Sequence, residues 1–279
     1  MATVIFRLRI IVLLWLTMVG YGAAKIPDMH EDNGYIEPFQ MFDNVYYIGD
    51  KWVSSYAVTT STGLIIIDTL EFPYSQWLPL NLKKLGLQGA RVSHILVTHG
   101  HSDHVAGDSY LQELYAAEVT ISEQGYALAL QQAEQSRGEK KFRPPEVSSF
   151  VKDEMSLLIV NTRFKFYLTP GHTQGDMSID FMARHRGQLY RVFVTGGHSA
   201  NLQNKQLTKL FIASMSRIKT LSAESPVVTV NLANHPHKNH LFKSRTAINT
   251  NDLKNPFVDR ENFLQFIEQQ QAQALNKVQ

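Results

Sequence analysis

The chain has 279 residues, 44% of them hydrophobic and 19% charged, a globular composition with enough length to bury one large core. Its formal charge of +2 comes wholly from Arg7 and Arg9, because beyond residue 24 the chain carries 25 basic and 25 acidic residues. That balance gives no general attraction to nucleic acid or to an anionic membrane surface. The absence of cysteine excludes disulfides and thiolate metal ligands.

Residues 1–24 have the layout of a signal peptide: Arg7 and Arg9, then the apolar run Ile10 to Val19, then the small residues Gly22-Ala23-Ala24 before Lys25. The apolar run is short for a membrane span, although an uncleaved anchor is the alternative reading. The expectation is export to a periplasmic or secreted location, with no stable membrane insertion after cleavage and with residues 25–279 forming one domain. Residues 25–40 read as an irregular arm. Val45 to Ile48, Ser54 to Thr60 and Leu64 to Asp68 read as strands, the last two joined by the turn Ser61-Thr62-Gly63. Trp77 to Leu85 reads as a helix closed by Gly86 to Gly89.

The short β-branched run Ile95-Leu96-Val97 is the next strand, and it delivers His99-Gly100-His101-Ser102-Asp103-His104 at its carboxyl end. In layered α/β proteins that edge is where ligands gather. His99 and His101 alternate by two, so an extended segment points both to one side. Asp103 and His104 follow as the chain turns and can face a neighbouring metal. Imidazole nitrogen and carboxylate oxygen suit Zn²⁺. Asp68, ending the Leu64 to Ile67 run, reads either as a capping residue or as a carboxylate that orients a ligating histidine.

The spacing then predicts a helix over 108–116 with Asp108 as a cap, a strand at Val119 to Ile121, and a helix from Glu123 to Ser136. Residues 137–145 read as a charged, proline-bearing surface loop. The second half repeats the rhythm. Strands at Leu157 to Val160 and Phe164 to Leu168 lead into Thr169-Pro170-Gly171-His172-Thr173, and strands at Met177 to Phe181 and Leu189 to Val194 lead into Thr195-Gly196-Gly197-His198-Ser199. A helix over 207–221, a strand at Val227 to Val230 with Asn234-His235-Pro236 beyond it, and a last helix from Pro256 with a Gln-rich tail complete the chain.

His-x-His-x-Asp-His over 99–104, then Pro170-Gly171-His172-Thr173, then Asn234-His235-Pro236, in that order, resemble the motifs of the metallo-β-lactamase superfamily. The resemblance covers nearly all of the chain beyond the leader, from Phe42 through Asn255-Pro256-Phe257-Val258-Asp259. It implies an α/β fold, a four-layer αβ/βα sandwich of two mixed β-sheets with external helices and metals at one edge. Carried over motif by motif, it implies two zinc ions, one on His99, His101 and His172 and the other on Asp103, His104 and His235. Many relatives bridge their metals with an aspartate after the strand that precedes the last motif. Here that stretch is Gly196-Gly197-His198-Ser199 and holds no acid.

The remaining ligand set resembles the third lactamase subclass, whose two zincs are bridged by hydroxide alone. The resemblance therefore implies a zinc-dependent hydrolase that opens a β-lactam amide in a small-molecule substrate, with Asp103 ligating and orienting the nucleophile. The alternative is hydrolysis of lactones or other carbonyl esters on the same metals. A non-catalytic binding protein is disfavoured by the intact ligand set. His198 and Ser199 are candidates for the substrate pocket, with turn and loop roles as the alternative. His94, at the other end of its strand, reads as structural. If the leader is removed on export, mass spectrometry of the exported protein will find an amino terminus near Lys25; an intact Met1 would overturn that reading.

Overall fold

The computed structural model describes residues 25–248 and 254–278, so the proposed leader, residues 1–24, lies outside the described residues. Two mixed sheets pack face to face. In the first, β1 (Phe39–Phe42), β2 (Val45–Tyr47), β3 (Tyr56–Thr59) and β4 (Leu64–Ile67) form an antiparallel meander. The sheet then continues through β5 (Val92–Leu96), β6 (Glu118–Ser122) and β7 (Val147–Val151), each parallel to its neighbour. The second sheet pairs β8 (Ser156–Ile159), β9 (Thr162–Leu168), β10 (Met177–His185) and β11 (Gln188–Thr195) antiparallel, with β12 (Val228–Ala233) added parallel to β11.

The helices are α1 (Trp77–Lys84), the single turn α2 (Ser102–Val105), α3 (Asp108–Tyr115), α4 (Glu123–Gln135), α5 (Lys205–Ser222), α6 (Leu241–Thr246) and α7 (Arg260–Val278).

Burial follows the strand period. Every side chain of β4 is buried, because the strand is covered on both faces. Ile65 and Ile67 face the second sheet, meeting a layer that includes Phe166, Ile179, Val192 and Val194. Leu64 and Ile66 face outward against Leu78 and Leu82 of α1, in a layer that also holds Leu111 of α3 and Ala129 of α4. On the far side, Phe193 of β11 and Val228 of β12 meet Phe211 and Met215 of α5 and Phe263 and Ile267 of α7. The result is the four-layer αβ/βα sandwich of the expected class. Among the described residues, no helix is long and apolar enough to cross a membrane.

The short helices α2 and α6 are absent from the sequence reading, and three further elements differ from it. β1 lies partly within the stretch read as an irregular arm; four residues, with a shift in register beside Phe42, are too few to show a periodic pattern. β7 was not expected at all, since Val147-Ser148-Ser149-Phe150-Val151 is a polar-rich edge strand. The Gln-rich end of the chain is no loose tail. It is the second half of α7, where Gln270 is buried and Gln271 donates to the Ile212 carbonyl.

One buried ion pair fastens the second sheet to its helices. Arg191 of β11 donates Nε to Asp180 Oδ2 at 2.8 Å. Its Nη1 donates to the carbonyls of Leu221, Glu224 and Pro226 at 3.0–3.1 Å, so it also gathers the carboxyl end of α5. Both side chains are nearly inaccessible, and removing one partner leaves an uncompensated buried charge. Arg191→Met will lower the unfolding free energy by about 3–5 kcal/mol in urea titrations; an unchanged midpoint would show the pair to be dispensable.

Candidate metal centre

The carboxyl ends of β4, β5, β9, β11 and β12 meet along one edge of the sandwich. β5 runs on through Val97 and Thr98 into His99, and Gly100 follows because α4 passes directly over it. A Cβ at Gly100 would stand 1.9 Å from the Gly125 carbonyl oxygen, so only glycine fits. Residue 101 caps α2, and that single turn brings Asp103 and His104 round to a second position beside the first. The Met177 N–H donates to the Thr98 carbonyl at 2.9 Å, tying the two sheets together at the edge where the histidines collect.

Two donor groups result, His99, His101 and His172 in one, Asp103, His104 and His235 in the other, the ligand atoms of each lying within 4.8 Å of one another. In the first, His101 Nδ1 is 3.1 Å from both His99 Nε2 and His172 Nε2. In the second, His104 Nε2 is 3.2 Å from His235 Nε2 and 3.3 Å from Asp103 Oδ2, and His235 Nε2 is 3.6 Å from the same oxygen. A tetrahedral zinc with bonds of about 2.0–2.1 Å separates its ligand atoms by about 3.3–3.4 Å. The side chains are therefore already spaced as the faces of two such tetrahedra. The all-nitrogen and nitrogen–oxygen donor sets suit zinc.

The ring nitrogens that face away from the centres are tied down. His172 Nδ1 donates to the Ser199 carbonyl at 3.0 Å, and His235 Nδ1 to the Trp52 carbonyl at 2.6 Å. His104 Nδ1 donates to Asp68 Oδ2 at 2.8 Å. His99 Nδ1 meets Thr98 Oγ1 at 3.2 Å, and that hydroxyl donates to Asp68 Oδ2 at 2.7 Å. Asp68 thus steadies both groups, one directly and one through Thr98. It does so from a left-handed backbone, φ 57°, one of the few conformations that asparagine and aspartate tolerate better than most residues. Of its two sequence readings, the structure places it as the orienting carboxylate.

Electrostatics separate the members. Burial, together with mutual repulsion among the rings, holds His99 well below the ordinary histidine value, His172 down to about 4 and His235 down to about 3. The neutral ring is the form that ligates a metal. Burial also works against a charge on His104, yet the carboxylates of Asp103 and Asp68 outweigh it and raise the ring to about 10. Burial likewise opposes the Asp103 charge, and the attraction of His104 and His235 overrides it, keeping this carboxyl below the usual range. His104 therefore carries a proton where a bound cation would otherwise balance two carboxylates.

The Asp103 side chain is 34% exposed, against 16% for His235 and 1% for His104 in the same group. The two pocket candidates lie on the loop after β11. His198 stands between the groups, its ring centroid 4.2 Å from His235 and 5.8 Å from His172. Its Nδ1 faces Asn234 Oδ1 at 3.1 Å, while Asn234 Nδ2 donates to the Gly196 carbonyl, so the amide oxygen is turned to accept and His198 Nδ1 carries the hydrogen. His198 is not a member of either donor group. Ser199 contributes its carbonyl to His172, and its hydroxyl accepts from Lys238 Nζ at 3.4 Å. His94 lies in the middle of β5 and not at its start, and pairs with Glu118 at 3.5 Å.

Asp176 and the Trp52 carbonyl are among the features that escaped the sequence reading. Asp176, buried and four residues after His172, accepts the His172 N–H at 2.8 Å and the Thr173 N–H at 2.9 Å, closing the loop that aims His172. Its place after a Gly-flanked turn was the available signal. The Trp52 carbonyl had none, since nothing in the sequence marks a backbone oxygen that reaches His235 across 183 positions.

Residues 49–185 match the family model described as the metallo-beta-lactamase superfamily. Its structure is similar to that of a subclass B3 metallo-beta-lactamase of Bradyrhizobium japonicum, with a TM-score of 0.76, 23% identity and coverage of 87% of this chain and 93% of that one. It is also similar to a native metallo-beta-lactamase from Legionella gormanii, with a TM-score of 0.77, 20% identity and coverage of 87% and 95%. Over 100 residues, 36% of this chain, it is 32% identical to a hydroxyacylglutathione hydrolase of Acaryochloris marina; the match spans only 34% of that relative's length.

Removing an orienting carboxylate costs metal affinity even when every ligand is intact. Asp68→Ala will weaken the metal equivalent on Asp103, His104 and His235 by about 10–100-fold, read by competition with a chromophoric chelator. Wild-type affinity for both equivalents would show that Asp68 has no orienting role.

Proposed function

We propose that the chain is a dizinc hydrolase that opens the amide of a β-lactam. The observation that carries this reading is the pair of three-residue donor groups that, among the described residues, share no carboxylate. In the stretch where many relatives place a bridging aspartate, neither glycine position has room for a side chain here. A Cβ at Gly197 would stand 2.6 Å from His172 Cβ and 2.9 Å from the Asp176 carboxylate, and one at Gly196 would stand 2.0 Å from the Met177 carbonyl oxygen. The likeness of the fold to solved metallo-beta-lactamases supports the same choice.

Zinc ions on the two groups would polarise a carbonyl oxygen and make a nearby water acidic near neutral pH. His99, His101 and His172 hold one position, and Asp103, His104 and His235 the other. Asp103, ionised and partly open to solvent, accepts a hydrogen bond from the attacking water and directs its lone pair at the carbonyl carbon. His198, a neutral ring held by Asn234 between the groups, lines the substrate side, and Ser199 stands beside it with Lys238 at its hydroxyl. Protonation of His198 is suppressed by burial first and by His235 and His172 next, which lower it to about 2, so this ring contacts substrate without charge. With the leader removed on export, the enzyme would meet its small-molecule substrate in the periplasm or outside the cell, where such an activity would confer antibiotic resistance.

The partial identity to a hydroxyacylglutathione hydrolase favours a second reading, hydrolysis of a lactone or another carbonyl ester on the same groups. Both readings are separated by assaying zinc-loaded mature protein on a chromogenic cephalosporin and on a simple lactone, with and without chelator. Chelator-sensitive cephalosporin turnover is expected, and lactone turnover alone would overturn the lactam reading. His99→Ala and His172→Ala will each lower zinc content and abolish hydrolysis; full activity in either would overturn the ligand assignment.

A further inference from the structure

The apolar stripe of α7 contains one polar side chain. Ile267 and Ala274 are buried on that face, and Gln270, three and four residues away from them, is buried with them at 5% exposure. A buried amide has to find a partner. Gln270 Oε1 accepts the backbone N–H of Ser199 at 2.8 Å. Ser199 in turn is held in the left-handed region, φ 66°, where a residue with a side chain stays only when its surroundings fix it.

The other side of the same residue carries the functional contact: the Ser199 carbonyl accepts from His172 Nδ1 at 3.0 Å. Ser199 is thus gripped at its N–H by the carboxyl-terminal helix and at its carbonyl by a member of the first donor group. The helix itself is fixed in rotation, since Gln271, the next residue, donates Nε2 to the Ile212 carbonyl of α5 at 3.1 Å. The loop is fixed farther along, where the Asn201 N–H donates to the Gly171 carbonyl at 3.0 Å.

We infer that Gln270 is a positioning residue for the first donor group, holding the Ser199 backbone so that its carbonyl keeps His172 with the hydrogen on Nδ1 and the lone pair on Nε2 directed at His99 and His101. Gln270 touches neither metal ligand nor substrate; it acts through one peptide. The inference rests on the metal-centre reading above. Its test reads metal binding and ring chemistry, not turnover, so that it stands or falls apart from the choice of substrate.

The decisive pair is Gln270→Leu, which keeps the bulk and loses the acceptor, and Gln270→Glu, which keeps an acceptor oxygen. Zinc affinity is measured by competition with a chromophoric chelator on protein whose far-ultraviolet circular dichroism matches wild type. Gln270→Leu will weaken one of two zinc equivalents by about tenfold or more, and Gln270→Glu will restore most of that loss. Wild-type binding of both equivalents in Gln270→Leu, or equal weakening in both variants, would overturn the inference.

Should Gln270→Leu fail to fold, the nitrogen-15 ring spectrum of the zinc-loaded wild-type protein decides. A slowly exchanging proton on His172 Nδ1 is expected, and its absence overturns the inference. A protein that binds zinc in this pattern and hydrolyses neither cephalosporin nor lactone would defeat the proposed function while leaving the role of Gln270 intact.

Discussion

Lone pairs repel, and this molecule crowds them. In the first group, His101 Nδ1 stands 3.1 Å from the Nε2 atoms of both His99 and His172, and in the second His235 Nε2 stands 3.6 Å from the Asp103 carboxylate oxygen. Left to themselves, the rings would turn away from one another. They stay because His99, His104, His172 and His235 each commit the outward nitrogen to a fixed acceptor on a different element. The sandwich is the device that brings those acceptors to the place: Thr98 and Asp68 from the ends of parallel neighbours β5 and β4, the Ser199 carbonyl from the loop after β11, and the Trp52 carbonyl from the loop between β2 and β3. Strain accumulates where this happens. Asp68 and Ser199, two of the residues that orient ligands, both have left-handed backbones without being glycine.

The same crowding explains the charge pattern. Buried rings beside one another resist protonation, which leaves most of them ready to ligate. His104 is the exception because it lies between two carboxylates, Asp68 at 2.8 Å and Asp103 at 3.3 Å. With His104 protonated, the second group sets one positive against one negative charge while the first holds only neutral rings, so the two differ before any metal enters. That difference fits the division of labour proposed above, in which a cation on the neutral rings of the first group would polarise a carbonyl oxygen and Asp103 of the second would accept the nucleophile's proton.

How much of this was legible in the sequence divides along a physical line. His99 to His104 could be read because consecutive residues leaving a strand stay close whatever the rest of the chain does. His172 and His235 could be placed only by resemblance, since no local rule brings positions 71 and 131 residues from their partners into contact. Asp68 was marked by its position at a strand end, which is a local feature, but whether it capped or oriented was a question of three dimensions. The Trp52 and Ser199 carbonyls could not be found at all, because any residue supplies a backbone oxygen. In the fold, the strands with strong apolar runs were visible, while β1 and β7 were hidden by brevity and by exposure at the edges of the first sheet.

Gly197 shows why the ligand set and the fold are one problem. The position lies against His172 Cβ and the Asp176 carboxylate, and Asp176 is there because it closes the loop that aims His172. An acid at 197 would need that space, so the chain can have a carboxylate that shapes the His172 loop or one that reaches between the two groups, and not both. Having taken the first course, it leaves the region between the groups to His198, a larger ring anchored by Asn234 from the strand end that also presents His235. The packing of His172 and Asp176 against position 197 and the hold of Asn234 on His198 together shape the face where a substrate would lie.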